Sequence, residues 1–519
     1  MKVLIPMSGM SSRFVNEGYS IPKYLIEISG KKVIEHIIDL YPKDSEFVFI
    51  LNDVHEKLYN VKKLLDNLCE NKSIVIIDSH KKGPVHTVSN VYDLIDDDEK
   101  VIVNYCDFSM YWDFKKFDDF ISETDCDGCI ISYTGFHPHM LGSDNYAFCK
   151  TDETNKVLEI REKQPFTDNK MSEYASTGTY YFKRGQYVKK YFSQLIDQNI
   201  DLSGEYYVSL VYNLLINDNL FINVYEVPYM LQWGTPLDLD MYLKWSRYYE
   251  KALIGQKNSK ISNCVTLIPM AGFGSRFFND GYKIPKPFIE VNGKFMVNQS
   301  IKCLPETDKV IFGCLEKYKN NSISGDIVWF DDVPPGQACT TERLLDKFDK
   351  QSFIVSACDN GVFYDSDKFL NLVNDLSNDV IVWSYRNNYT SFYNPNMYSW
   401  IEVDEDQNIK NINVKKFKGT NPIDEYAVVG TMFFRSKEVY LNSLQQLYIK
   451  NIKVNDEFYI DSLINESIKL GYKVKNFEID EYICWGTPND LKTYMYWQSF
   501  FDKVSWHPYN YNRDYFTNG

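Results

Sequence analysis

The chain has 519 residues, 44% of them hydrophobic and 24% charged, with a formal net charge of −15. One hydrophobic core stops growing near roughly 250–300 residues, so two domains are expected, and the composition excludes disordered and collagen-like chains. No apolar run approaches the roughly 18 residues of a membrane span, the acidic balance argues against a nucleic-acid binder, and eleven cysteines without a disulfide-like spacing suit reduced thiols in a cytoplasm.

The first strand is expected at KVLIP (2–6), an apolar run too short for a signal-peptide core. The loop SGMSSRF (8–14) follows it and GYSIPK (18–23) comes next, bringing Gly9, Ser11, Arg13 and Lys23 together. Glycine lets a backbone approach a phosphate and aim N–H groups at it, while an arginine fork and a lysine point charge balance a polyphosphate. Ser11 fits such a turn less freely than glycine if its φ is positive. The loop is not a Walker A motif, since no G-x-x-x-x-G-K-[ST] occurs.

Helical and strand patterns then alternate: a helix at KVIEHIIDLY (32–41), a strand at EFVFILN (46–52), a helix over 53–68, and a strand at SIVIID (73–78). After the glycine-led turn GPVHT (83–87), a helix over 84–95 leads to the strand KVIVNYCD (100–107), which ends on Asp107. Near-continuous apolar strands between helices imply a mixed, mainly parallel sheet with helices on both faces, and ligands bind such sheets at the carboxyl ends of the strands. Cys126-x-x-Cys129 has no second ligand pair, so core thiols are expected rather than a zinc or redox site. His137-Pro-His139 reads as a loop element. Beyond it stand Glu162-Lys163, Gly178-Thr179, Glu205, and Trp233-Gly-Thr-Pro, whose indole is a candidate for stacking on a sugar. The polar GQKNSKIS (255–262) marks a boundary, giving domains 1–255 and 264–519 about a linker at 256–263.

The second domain repeats the first. LIPMSGMSSRF (4–14) and LIPMAGFGSRF (267–277) share eight of eleven positions, and GYSIPK (18–23) returns as GYKIPK (281–286). GPVHT returns as GQACT (336–340), Asp107 as Asp359, SEYASTGTYYF (172–182) as DEYAVVGTMFF (424–434), and WGTPLDL (233–239) as WGTPNDL (485–491). The offset falls from 263 (267 − 4) to 252 (424 − 172), so the second copy is shorter, at CLEKYKNNSISG (314–325). The loop set therefore recurs as Gly272, Gly274, Arg276 and Lys286, and a chance turn with solvated charges is the weaker reading once it is duplicated.

The ordered motifs L-I-P-M-[SA]-G-x-x-S-R-F and G-Y-x-I-P-K resemble the sugar-phosphate nucleotidylyltransferases, or NDP-sugar pyrophosphorylases, over nearly the whole of each half. The flavour is that of bacterial members associated with capsule and surface-polysaccharide synthesis. The resemblance implies two tandem glycosyltransferase-A-like, Rossmann-related domains of the α/β class that make an NDP-sugar and pyrophosphate from an NTP and a sugar 1-phosphate with Mg²⁺. It implies that Gly9, Ser11 and Arg13, with Gly272, Gly274 and Arg276, hold the triphosphate, and that Lys23 and Lys286 stabilise the α-phosphate and leaving pyrophosphate. Asp107 and Asp359 become the metal ligands. Gly83 and Gly336 lie near the base, and Glu162, Lys163, Gly178, Lys415 and Gly430 near the sugar and its phosphate.

Two departures matter. The family's second metal aspartate is Gln232 in the first copy and Cys484 in the second, and Glu205 and Glu457 in matching blocks either substitute for it or serve the structure. Val414 stands where the first copy has Glu162, which suggests a different acceptor or lost sugar recognition. Two alternatives therefore remain beside two active sites: a nucleotide-binding regulatory pseudoenzyme in one copy, or a cytidylyltransferase acting on a non-sugar phosphate. The expected partners are small molecules, an NTP and a phosphorylated acceptor, with no membrane insertion, in the cytoplasm; self-association as a homo-oligomer is left open.

Overall fold

The computed structural model describes residues 1–319, 323 and 325–517. They form two compact units, Met1–Trp245 with Lys503–His507, and Ser246–Asp502 with Pro508–Gly519. Each unit is built on a nine-stranded mixed sheet, and the two sheets share one strand order. In the first, Val101–Asn104, Lys2–Met7, Glu46–Asn52 and Lys72–Ile77 run parallel and side by side. The long strand Tyr174–Phe182 closes this block antiparallel and joins it to Gly128–Tyr133 and Ala147–Thr151. The second sheet repeats the plan with Ser352–Val355, Lys260–Pro269, Glu306–Leu315 and Asp326–Phe330 in the parallel block.

Burial follows the apolar patterning. All six residues of Lys2–Met7 are buried. In the second unit, Val265 and Leu267 join one core cluster, whereas Ile268 and Met270 join another. Alternate side chains of one strand thus enter two separate cores, the signature of a sheet covered on both faces. From the edge strand Lys72–Ile77 the chain returns through a helix to Val101–Asn104, on the other side of Lys2–Met7. Strand order reverses there, so a crevice opens past the carboxyl ends of Lys2–Met7 and Val101–Asn104.

The expected helices are shorter and more broken. The stretch 53–68 forms two helices, Asp53–Tyr59 and Val61–Asp66, because Asn60 between them adopts a left-handed conformation with φ 51°. The stretch 84–95 is an α-helix Gly83–Val88 continued by a 3-10 turn Ser89–Leu94, with the break at Val91. In the shortened part of the second repeat, residues 320–322 and 324 lie outside the described residues.

The units part at Trp245–Ser246, ten residues before Gly255 (255 − 245). Nothing in the sequence breaks the helix Pro236–Ile254 at that point; it ends where Gly255, at φ 71°, bonds back to the Lys251 carbonyl. The strand Lys260–Pro269 then begins inside the expected 256–263 linker.

The motifs judged unlikely to carry chemistry are packed inside. All eleven cysteines are free, and Cys126 and Cys129 are buried. His137 and His139 are buried against Tyr133 at the start of a 3-10 turn, and burial pushes the His137 imidazole down to about 4. A histidine with a depressed folded pKa contributes stability fully above its unfolded pKa near 6.5, and that stability is lost as pH falls toward the folded pKa. Urea melts should show the wild type losing about 3 kcal/mol more than His137→Phe between pH 7 and pH 4. Equal losses in the two proteins would refute this.

Candidate active site

The loop after Lys2–Met7 turns through a residue in the left-handed region, Ser11 with φ 53° and ψ 33°, before the short helix Ser12–Asn16. Gly274 makes the same turn with φ 63° and ψ 35°. The first copy thus places a serine where glycine is the unstrained residue, and the Lys23 amide donates to the Ser11 hydroxyl at 3.2 Å. A Cβ at Gly274 would stand 3.0 Å from the Lys286 Cβ. Ser8 and Thr87 hydroxyls lie 2.5 Å apart and tie the loop to the helix behind it, a link that Ala271 lacks in the second copy.

Lys23 and Asp107 meet on this floor. The Lys23 ammonium donates to Asp107 Oδ2 at 2.7 Å, and Lys286 pairs with Asp359 Oδ2 in the same way. Burial alone would lower both lysine pKa values, but the facing aspartate outweighs it and raises them, so both stay charged. Arg13 and Arg276 are exposed at the rim, each two residues after the left-handed turn, with no ion pair among the described residues.

The aspartates are fixed from behind. The Trp233 amide donates to the Asp107 carbonyl at 3.1 Å, and the Trp485 amide to that of Asp359 at 2.8 Å. Neither indole is available for sugar stacking: Trp233 packs on His36 and Tyr242, and Trp485 on Tyr494 and Phe516, both fully buried. The glycine after each tryptophan matters more than the ring. A Cβ at Gly234 would stand 2.8 Å from Asp107 Oδ2, and one at Gly486 2.7 Å from Asp359 Oδ2.

Gln232 sits opposite Phe108 in a short antiparallel pair, and Cys484 opposite Asn360, so each lies beside its aspartate. The Cys484 thiol, its pKa raised by burial and by Asp490 and Asp359, donates to Asp490 Oδ2 at 3.2 Å. Glu205 is engaged by the Tyr207 hydroxyl, which also accepts from Lys163 at 2.6 Å. Among the described residues no group of three or more His, Cys, Asp or Glu gathers as a metal-holding cluster. Gln232 offers an amide oxygen next to the Asp107 carboxylate, a hard-oxygen pair of the kind Mg²⁺ accepts when substrate phosphates complete its shell; Cys484 fits less well.

A cleft of about 410 Å³ in the first unit unites these groups, lined by Arg13, Lys23, Gly83, Asp107, Lys163 and Gly178 among others. Gly9, Ser11 and Glu162 also line it. Gly83 and Gly336 have positive φ and press against the backbones of Tyr206 and Phe458, so close packing requires glycine there. Gly178 and Gly430, also at positive φ, accept from the Tyr105 and Ala357 amides at the bulge in the long strand. Lys415 keeps the left-handed backbone of Lys163, and its ammonium donates to the Met397 carbonyl.

Residues 2–201 match the family model described as nucleotidyl transferase. The N-terminal unit is a nucleotidyl transferase domain. Among solved structures, a nucleoside-diphosphate-sugar pyrophosphorylase from Vibrio cholerae is 25% identical, covering 46% of this chain and 97% of that one, at a TM-score of 0.38. The inositol-1-phosphate CTP transferase from T. maritima is 16% identical, covering 48% of this chain and all of that one (100%), at 0.37. No curated protein matches.

In this nucleotidyl transferase domain, one acidic residue beside the cleft stands outside the phosphate-loop, lysine and metal motifs. Asp238 accepts from Thr235 Oγ1 at 2.6 Å, and burial lifts its carboxyl to about 6 against the opposing pull of Thr235 and Arg13. Its repeat partner Asp490 accepts from Thr487 at 2.6 Å and is raised likewise. Its recurrence inside WGTPxDL was the available signal. No helix of the described residues is long and apolar enough to cross a membrane.

Proposed function

We propose that each unit transfers a nucleoside monophosphate from an NTP to a phosphorylated acceptor. For the first unit the acceptor is a sugar 1-phosphate, and the product is an NDP-sugar of the kind used in surface-glycan synthesis. The observation that carries this reading is the duplicated lysine–aspartate pair beneath a left-handed loop turn, with an arginine at the rim of each copy that has no ion pair among the described residues.

An oxygen of the acceptor phosphate attacks the α-phosphorus, the bond from that phosphorus to the bridging oxygen breaks, and pyrophosphate leaves with the bond electrons. The nucleophile is already an anion, so no general base is needed. Arg13 holds the β- and γ-phosphates, while Lys23 leaves Asp107 to meet the charge that builds on the α-phosphate and leaving group. Lys163, steadied by Tyr207, and Glu162 bind the acceptor. Asp107 with Gln232, and Asp359 in the second unit, would hold Mg²⁺. When bound, that ion neutralises phosphate charge and aligns the two reactants.

Pyrophosphate release across the four NTPs and a panel of phosphorylated acceptors tests the reading. Asp107→Asn should slow one subset of reactions by about 100-fold and Asp359→Asn a different subset. A single substitution that stops every reaction, or one that spares them all, would overturn two-site catalysis. Gln232→Asp should lower the Mg²⁺ concentration at half-maximal rate for the first subset by about tenfold, because a second carboxylate then faces the ion; an unchanged midpoint would remove Gln232 from the metal site.

A further inference from the structure

The change of Glu162 to Val414 does not stand alone. In the first unit Glu162 ends the strand Val157–Glu162, opposite Ala147. Its Oε2 accepts from the hydroxyl of Ser209, on the helix Val208–Asn217, at 2.6 Å. At the constant offset of 252, Ala147 becomes Ser399, Glu162 becomes Val414 and Ser209 becomes Asp461. In the second unit the Ser399 hydroxyl donates to Asp461 Oδ2 at 2.5 Å, and Asp461 lies on the helix Ile460–Lys469. The carboxylate has left the strand and reappeared on the helix, while the hydroxyl has crossed the other way.

The frame around this exchange has not moved. Asn213 clamps the helix to the strand by bonding both the Ile160 amide, at 3.0 Å, and its carbonyl, at 2.8 Å. Asn465 does the same to Ile412, at 2.8 Å in each direction. Ser209 and Asp461 are therefore equivalent in space as well as in sequence. The lysine that follows the strand position is also kept: the Lys415 amide faces the Ser399 hydroxyl at 3.4 Å. In both copies the second oxygen of the carboxylate, Glu162 Oε1 or Asp461 Oδ1, has no hydrogen-bond partner among the described residues. A carboxylate kept half-buried is costly, and partial desolvation raises the pKa of both groups. If the second pocket had lost its task, Val414 alone would be the cheaper state.

We propose that Asp461 is the acceptor-binding carboxylate of the second unit, replacing Glu162 and presenting its free oxygen, beside Lys415, to hydroxyl groups of a phosphorylated polyol or sugar. The inference rests on the reading that Glu162 and Lys163 face the acceptor in the first unit. Because the carboxylate enters from the helix, the two units match different hydroxyl patterns and take different acceptors.

The test uses the full chain with Glu162→Val and Lys163→Met, which removes the first unit's acceptor contacts. Glucose 1-phosphate, inositol 1-phosphate and glycerol 3-phosphate are titrated calorimetrically with Mg²⁺ and a non-hydrolysable NTP, and methyl phosphate serves as the hydroxyl-free control. At least one hydroxylated probe should bind, and Asp461→Asn should weaken it about tenfold or more while nucleotide affinity changes less than about twofold. The triple change Ser399→Ala, Val414→Glu and Asp461→Ser rebuilds the first unit's arrangement and should restore a hydroxylated probe to within about threefold. Absence of binding by every hydroxylated probe, an unchanged affinity in Asp461→Asn, or an equal loss for methyl phosphate would overturn the proposal. Two-site catalysis is judged separately from pyrophosphate release in Asp359→Asn, so either reading can fail without the other.

Discussion

Lys23→Met is expected to lower kcat of the first unit's reaction by about 1,000-fold while the melting temperature moves by less than about 2 °C. The two effects separate because the ammonium has different work in the two states. In the free protein it is one half of a pair with Asp107 in which both side chains are 24% exposed. Pairs with that much water nearby contribute little to folding. In the proposed transfer the same ammonium faces charge that develops in the transition state, where a pre-positioned donor is worth about 10²–10³ in rate. The nucleotide KM should change far less than kcat, since in the proposed site Arg13 and the loop are left to bind the triphosphate. Lys286→Met should reproduce the pattern for the second unit's reaction. A proportional fall in stability and activity would instead mark the lysine as structural.

Gly83→Ala should destabilise the first unit by about 3 kcal/mol, lowering its melting temperature by roughly 6–12 °C. Gly83 has φ +85°, which an alanine adopts only with strain. Its Cβ would also stand 2.7 Å from the Tyr206 nitrogen and 2.8 Å from the Tyr206 oxygen, and neither backbone atom can swing aside. The neighbouring bonds are those that fix the helix start, Val85 N–H to the Tyr206 carbonyl at 3.1 Å and Tyr206 N–H to Lys82 at 2.9 Å. Gly9→Ala is the control, because nothing lies within 4 Å of its added Cβ and its φ is not positive. It should melt as the wild type does yet lose nucleotide affinity, provided phosphates approach the loop backbone. If Gly83→Ala melts normally, the Tyr206 segment is more yielding than its hydrogen bonds indicate.

These contrasts show what the chain of letters discloses. Arg13, Lys23 and Asp107 were readable because their types suit polyphosphate chemistry and all three recur at matching places. The alternation of apolar strands and helical periods was likewise enough for the mixed sheet. The breaks at Asn60 and Val91 were not, since each depends on a local backbone choice that an apolar repeat does not register. Trp233 looked like a stacking ring by type, yet its service is the amide that holds Asp107. Val414 left a different acceptor and lost recognition equally open because Ala147, Glu162 and Ser209 are spread over 62 residues (209 − 147), and only their contacts join them into one exchange.

The segment Lys503–His507 belongs to the first unit, although more than 250 residues separate it from Trp245 (503 − 245). Trp506 stacks edge-on against His36 with ring centroids 5.3 Å apart and donates to the Tyr242 hydroxyl at 3.3 Å, while Lys503 reaches the Tyr229 hydroxyl at 3.0 Å. Domains usually close in the order in which the ribosome delivers them, at about 5–20 residues per second. Here the first unit must wait for synthesis of nearly the entire second before its last side chains arrive. During that interval, of the order of tens of seconds, His36, Tyr229 and Tyr242 lack these partners. Synthesis of this chain thus has a built-in order: its earlier half cannot be completed until nearly all of its later half has been made.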